Sequence, residues 1–167
     1  MDTLNYLAYG SNLWPPRLAA RVSVLASLGK VALPGQTLAF TKRGADGSGK
    51  CHLASAAAAT AWGVVYRIPA QDKPVLDRIE GVGHGYAVAQ VEVAAHGLCF
   101  VYQALATALD PRLRPFDWYR AYVLAGARHH GLPSDYIEAI ASTPTVSDTD
   151  AARDAQNRAC LAQVPTV

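Results

Sequence analysis

One glutamate stands out as a candidate acid or base. The chain has three glutamates, and Glu80 differs from the other two because it ends an expected helix and precedes three glycines in five positions. The helix dipole disfavours a negative charge at that end, and small or apolar neighbours would reduce its hydration. Such a carboxylate is suited to take up and return a proton near neutral pH. The alternative is a loose helix end with the carboxylate in water.

A second candidate site lies near the start of the chain. A strand-like run ends there in Tyr9-Gly10-Ser11-Asn12, and two prolines follow before a segment that suits one or two helical turns. Asn12 is a candidate cap for that helix, since asparagine and an early proline both favour helix starts. Backbone N–H groups that converge at such a turn bind carboxylates or phosphates. An ordinary strand-to-helix turn is the alternative interpretation.

The hydrophobic pattern predicts the elements that would carry these two sites. Strands come first, helices gather later and no strand–helix–strand repeat is visible, which indicates an α+β domain with a mixed or antiparallel sheet. Pro34-Gly35 predicts a turn, and the alanine-rich segment from residue 54 fits either a strand or a helix. His129 and His130 would lie in a last helical turn, where positive charge suits the dipole. The expected strands are the first half of 4–13, then 37–40, 62–68, and a hairpin of 87–94 with 98–104. The expected helices are 73–80, 117–130 and 134–142. Asp72 and Asp117 are the expected caps of the first two helices.

A basic, glycine-rich loop is expected at 41–50. Gly44, Gly49 and Lys50 fit the G-x-x-x-x-G-K part of a phosphate-binding loop. Cys51 stands where that motif needs Ser or Thr to hold magnesium, and no helix is expected to follow. We therefore expect either a solvated turn or a loop that approaches an anionic substrate.

Composition is typical of a globular protein with one domain. The chain has 167 residues, 51% of them hydrophobic and 17% charged, and a formal net charge of +2. That charge is too small to indicate a nucleic-acid or anionic-membrane partner. Cys51, Cys99 and Cys160 form no C-x-x-C pair, so free thiols and a cytoplasmic location are expected. We expect one domain over 1–142 and a tail at 143–167 that is loosely packed or partly helical.

Three segments of the chain, taken in order, resemble one known family. Tyr6-Leu7-Ala8-Tyr9-Gly10-Ser11-Asn12-Leu13 is similar to the aromatic-x-Ala-Tyr-Gly-Ser-Asn-Leu signature of the γ-glutamylcyclotransferases, to which the γ-glutamylamine cyclotransferases are related. The second segment comprises Trp62-Gly63-Val64-Val65-Tyr66, Leu76-Asp77, Glu80-Gly81-Val82 and Gly85-Tyr86, and the third comprises Tyr119-Arg120-Ala121-Tyr122, Gly126-Ala127 and Gly131-Leu132-Pro133. The chain departs from the family at Trp14-Pro15-Pro16 and in the loop from Arg43 to Lys50.

The resemblance implies a small barrel-like sheet flanked by helices, and an enzyme that needs no metal or organic cofactor. It implies that Glu80 is the general acid/base in the cyclisation of a γ-glutamyl amide to 5-oxoproline, a reaction that belongs to glutathione metabolism in the family. The attacking amine belongs to the substrate, which agrees with the missing G-x-S-x-G motif. The substrate-binding residues that the resemblance implies are Tyr9, Gly10, Ser11, Asn12, Leu13, Tyr86, Tyr102 and Tyr119.

Several points stay open at the level of sequence. The leaving group is either an amino acid or an amine. A basic cavity mouth with Lys42, Arg43 and Lys50 would favour a leaving group that carries its own carboxylate. A binding domain that keeps the pocket without turnover is the alternative from another functional class. The oligomeric state is open, with a homodimer as one option.

Overall fold

The computed structural model describes residues 2–165, which contain five strands and five α-helices. The strands are β1 (Thr3–Ala8), β2 (Ala26–Arg43), β3 (Gly49–Pro69), β4 (Tyr86–Val93) and β5 (Gly97–Ala104). The helices are α1 (Pro15–Ala19), α2 (Lys73–Glu80), α3 (Asp117–His129), α4 (Ser134–Ala141) and α5 (Ala151–Leu161). Single 3-10 turns lie at Ser11–Leu13, Ala70–Asp72 and Ala106–Ala108.

The strands form one mixed, open sheet in the order β2-β3-β1-β5-β4. The central pair, β1 with β5, is parallel, and the other three pairs are antiparallel. The α+β class with a mixed sheet is therefore confirmed, whereas the sheet remains open where the resemblance implies a barrel-like form. Because β1 is the central strand and its last three residues are buried, the turn that follows it starts from the middle of the core.

The β2–β3 hairpin is longer than the sequence predicts, because bulges replace the expected breaks. The predicted turn at Pro34-Gly35 is wrong: these residues lie inside β2 at a shift of register. A proline is tolerated there because β2 is an edge strand. The alanine-rich segment is extended and belongs to β3, and the predicted loop at 41–50 is reduced to 44–48.

The predicted helices at 73–80, 117–130 and 134–142 are confirmed to within one residue. Gly81 ends α2 in the left-handed region at φ +73. The predicted caps are wrong in detail, since the Asp72 carboxylate bonds to the Ser23 amide and Asp117 is already in the first turn of α3. Asn12 belongs to a 3-10 turn and does not cap α1. Within residues 2–165, no helix is long and apolar enough to cross a membrane.

Helix α5 joins the C-terminal segment to α1 and α3. Asn157 Oδ1 accepts a hydrogen bond from Arg17 Nη1 (3.0 Å), and the backbone oxygen of Asn157 accepts one from Tyr122 OH (2.9 Å). Trp14 Nε1 donates to the carbonyl of Cys160 over 3.3 Å. The predicted tail is therefore partly helical and packs behind the first helix; its residues 166–167 lie outside the described range.

Candidate active site

Glu80 meets the turn after β1 through a ring of three side chains. Its Oε1 accepts hydrogen bonds from Arg21 Nη1 (2.7 Å) and from Asn12 Nδ2 (3.0 Å). Arg21 also donates to Asn12 Oδ1 over 3.0 Å, which closes the ring. The side chains of Glu80 and Arg21 are only 18% and 17% exposed. The structure thus places a largely buried carboxyl group beside the turn that the sequence singled out.

The turn after β1 offers backbone donors to a ligand. Leu13 N bonds to Gly10 O over 2.9 Å and closes the 3-10 turn. The first amides of such a turn have no partner inside it, and no backbone carbonyl among residues 2–165 accepts a hydrogen bond from the amides of Ser11 or Asn12. Arg17 Nε donates to Ser11 Oγ (3.0 Å) and orients that hydroxyl. Free amides in this arrangement suit an anionic group.

Helix α3 holds the turn from behind by a very close approach. A Cβ at Gly126 would lie 2.4 Å from the backbone carbon of Leu13, so only glycine fits between helix and turn. Leu13 itself is fully buried, and its carbonyl accepts a hydrogen bond from Tyr66 OH over 3.0 Å. Leu13, which the resemblance assigns to substrate binding, thus packs in the core and does not line the cavity described below.

His130 ties the end of α3 to the same turn. Its Nε2 lies 2.7 Å from Tyr66 OH and 3.0 Å from Leu13 O. Burial, and then the neighbouring His129, lower the pKa of His130 to about 4. This lowered pKa favours the neutral ring at pH 7, so His130 is less suited than His129 to supply positive charge at the end of α3.

Five tyrosines surround the carboxylate, and burial raises the pKa of each phenol. They are Tyr6, Tyr9, Tyr86, Tyr102 and Tyr119. Tyr9 OH donates to the backbone oxygen of Tyr102 (2.6 Å), and Tyr102 OH donates to Asp77 Oδ1 (2.7 Å). Tyr119 OH accepts from Cys51 N (3.2 Å) and donates to no other side chain or carbonyl within residues 2–165. Neutral phenols are hydrogen-bond donors at physiological pH, so these tyrosines can donate to a ligand or to Glu80.

Two adjoining cavities share Ser11, Glu80, Tyr86 and Tyr119 in their walls. The inner chamber, lined by the five tyrosines and the turn, has a volume of about 20 Å³, which is room for one water molecule. The outer cleft has a volume of about 610 Å³, within the range of small-molecule sites. A substrate would therefore place one polar end in the chamber and the rest in the cleft, with Glu80 at the junction.

The outer cleft is strongly basic. Two carboxylates, Asp46 and Glu80, face six cationic side chains. The six are Arg17, Arg21, Lys42, Arg43, Lys50 and Arg78. An excess of positive charge in a concave site attracts and holds anionic ligands.

Cys51 is the one cysteine among the described residues that line the two cavities. Burial raises the pKa of Cys51, which lines the inner chamber, to about 12, and a protonated thiol is a poor nucleophile. No group of three or more His, Cys, Asp or Glu side chains among residues 2–165 is arranged to hold a metal ion.

Comparison with known proteins supports the fold. Residues 60–140 match the model of the AIG2-like family. A solved structure named gamma-glutamyl cyclotransferase superposes with a TM-score of 0.81 at 24% identity, over 95% of this chain and 99% of that one. The chain shares the fold of that structure.

Two further structures share this γ-glutamyl cyclotransferase-like fold. The human protein LOC79017, described as uncharacterized, gives a TM-score of 0.79 at 22% identity, with 95% of this chain and 99% of that chain covered. YkqA from Bacillus subtilis gives 0.71 at 24% identity, with 87% of this chain and 57% of that chain covered. No curated protein matches the sequence. The AIG2-like match includes Glu80 but begins after the turn at Gly10, so the pairing of the two rests on the structure.

Several residues of this candidate site were not expected from the sequence. Arg17 and Arg21 follow the turn four positions apart, a spacing that indicates one face of a predicted helix. In the structure α1 ends at Ala19, before Arg21. Tyr6 belongs to the signature segment but was not expected to line the site, although it lies in the buried half of β1. Asp77 gave no local signal, since its bond to Tyr102 spans 25 positions of sequence.

Proposed function

We propose that the protein is a γ-glutamyl cyclotransferase that forms 5-oxoproline from a γ-glutamyl amide and releases an amino acid or an amine. The observation that carries the proposal is the Glu80 carboxylate at the junction of chamber and cleft, hydrogen-bonded to Asn12 of the turn. The likeness in fold to a protein named gamma-glutamyl cyclotransferase supports the reaction class.

The proposed reaction needs one group that first takes a proton and then returns it. Glu80 removes a proton from the substrate's α-ammonium group, and the free amine attacks the γ-carbonyl carbon to form the ring C–N bond. The original amide C–N bond then breaks, and Glu80 gives its proton to the departing nitrogen. The second proton that the ring nitrogen loses passes to the same nitrogen, so the products are the neutral lactam and an ammonium group. The nucleophile comes with the substrate, which is consistent with a protonated Cys51.

The remaining groups would bind charge and fix the substrate's conformation. The amides of Ser11 and Asn12 suit the α-carboxylate or the oxyanion that develops during attack. The Tyr119 hydroxyl, whose proton is uncommitted among the described residues, is a second candidate donor. Binding of the charged end by these groups would also hold the substrate in a folded conformation, with its amine close to its γ-carbonyl.

Turnover by wild type and by Glu80→Gln tests the proposal. Both proteins would be incubated with γ-glutamyl amino acids and γ-glutamyl amines while 5-oxoproline is measured. We expect the variant to lose about 10²- to 10⁴-fold in rate, the usual contribution of general acid–base catalysis. Glu92→Gln is the matched control, because Glu92 is exposed on β4, and it should keep the wild-type rate.

Two results would contradict the proposal. Glu80→Gln could remain folded, with an unchanged unfolding curve, and keep its rate; Glu80 would then not be the base. Wild type could bind γ-glutamyl compounds without forming 5-oxoproline, in which case the protein is a binding domain with the same fold.

A cytoplasmic location stays a prediction from the three free cysteines.

A further inference from the structure

Lys42 is a buried cation that faces the outer cleft. The residue is only 7% exposed, and its Nζ lies 4.2 Å from the ring centroid of Tyr86. It is close to a shift of register in β2 between Ala39 and Lys42, and such bulges re-aim side chains beside functional sites. A Cβ at Gly85 would lie 2.7 Å from Nζ, so the absent side chain at Gly85 leaves room for the ammonium group.

The ammonium group of Lys42 has no counter-ion in the described part of the chain. Neither an ion pair nor a hydrogen bond to its Nζ occurs among residues 2–165, whereas Arg21, Lys50 and Arg43 pair with Glu80, Asp46 and Asp110 at 2.7, 2.7 and 2.9 Å. Burial lowers the pKa of Lys42, partly offset by the charge of Glu80. Burying an unpaired charge is costly, and a bound anion would remove that cost.

The position of Lys42 indicates which part of a substrate supplies the anion. Lys42 lines the outer cleft but not the inner chamber, while Glu80 lines both. In the proposed reaction the glutamyl amine and γ-carbonyl meet at Glu80, with the turn after β1 at the chamber side. The part of the substrate beyond the scissile amide, which is the leaving group, then extends into the cleft beside Lys42.

We propose that Lys42 binds a carboxylate on the leaving group and so makes the protein selective for γ-glutamyl amino acids over γ-glutamyl amines. This inference rests on the proposed function and adds the residue that sets its substrate class. The ammonium group forms a charge-assisted hydrogen bond to the leaving-group carboxylate, in a site that is already desolvated.

Two substrates that differ in one charge test the assignment. γ-Glutamylalanine and γ-glutamylalaninamide have nearly the same shape and the same glutamyl half, but the amide lacks the terminal carboxylate. We expect wild type to prefer γ-glutamylalanine by about 10- to 100-fold in kcat/KM, the range of a hydrogen bond to a charged group. Lys42→Met keeps an unbranched apolar stem, and we expect it to abolish this preference by slowing the acid and not the amide.

Arg67→Met is the matched control, because Arg67 is exposed on β3 outside the cleft and its loss changes the net charge equally. The control should keep the full preference. If Lys42→Met lost the same factor in kcat/KM for both substrates, Lys42 would serve the shared α-carboxylate or the fold. If the preference were unchanged, another group would bind the leaving-group carboxylate. Either result overturns the assignment.

Binding measurements separate this inference from the reaction itself. Calorimetric titration of Glu80→Gln with the same two compounds should give a Kd about tenfold or more lower for the acid, and the additional change Lys42→Met should remove the difference. Wild type without turnover but with this Lys42-dependent preference would end the cyclotransferase proposal and keep the carboxylate site. Turnover without any preference would keep the cyclotransferase proposal and end the assignment of Lys42.

Discussion

At the scale of single residues, the site depends on Arg21 as much as on Glu80. Arg21 Nη1 donates to both Glu80 Oε1 and Asn12 Oδ1, so one guanidinium fixes the carboxylate and the turn in one geometry. A planar guanidinium with several donors can bridge two acceptors in this way, whereas a lysine supplies a single point of charge. Arg21 is therefore a positioning residue for the proposed base.

Replacing Arg21 by methionine should lower kcat more than it raises KM. Without the guanidinium, the Glu80 side chain loses its fixed orientation, and we expect a loss of about 10- to 100-fold in kcat, comparable to one charge-assisted hydrogen bond. Steady-state kinetics with the best substrate from the panel would measure it. Arg21→Lys keeps the charge and should lose less. Wild-type kcat in Arg21→Met would exclude the positioning role.

At the scale of elements, the contact between α3 and the turn after β1 decides where the site lies. Gly126 lets the helix approach the Leu13 backbone, and the Tyr66 hydroxyl holds the Leu13 carbonyl from β3. The turn is thus held between β3 and α3, and the contacting residues of both lie more than fifty positions from Leu13 in the sequence. A rigid support of this kind keeps the free amides of the turn in place for a ligand.

For Gly126→Ala, the direction of the change in stability shows whether helix propensity or packing against Leu13 dominates. Alanine is the better helix former by about 1 kcal/mol, so the change would stabilise a free helix. Here we expect destabilisation by about 1–3 kcal/mol, because the added methyl group overpacks the contact with Leu13. Urea unfolding followed by circular dichroism measures the difference, and Ala125→Gly on the same helix serves as the reverse control. A more stable Gly126→Ala variant would refute the close contact.

At the scale of the whole molecule, His130 makes the fold sensitive to acid. Its ring joins the end of α3, the turn after β1 and β3 through Leu13 O and Tyr66 OH. The pKa of His130 is lowered to about 4, from an ordinary value of 6.5. Between these values the unfolded chain binds a proton that the folded ring does not, so protonation favours unfolding.

The free energy of unfolding should therefore decrease as the pH falls from about 6.5 to about 4 and lose nothing further from this group below that. His130→Gln cannot titrate, so its stability should fall less over the same interval. For a half-buried ring we expect a difference of the order of 1–2 kcal/mol, discounted for solvent screening. Denaturant unfolding at a series of pH values measures it. Parallel curves for both proteins would exclude His130 as the source.

Much of the local structure could be predicted from the sequence. The hydrophobic pattern predicted a strand at 87–94 and a helix at 73–80, and both are confirmed to within one residue. These features depend on neighbours a few positions apart, where periodicity and backbone freedom dominate. The predicted turn at Pro34-Gly35 failed because pairing of β2 with β3 absorbed both residues in a bulge.

The sequence by itself determined the α+β class and most element positions, and its resemblance to a family implied that a turn and a glutamate belong to one site. Tertiary structure alone decided that Arg21 reaches Glu80 across 59 positions of sequence, that Leu13 packs in the core, and that Lys42 faces a cleft. Local pattern records which residues share a face of one element. Which faces meet depends on how the sheet and helices pack together, and that packing is set by long-range contacts that no single segment contains.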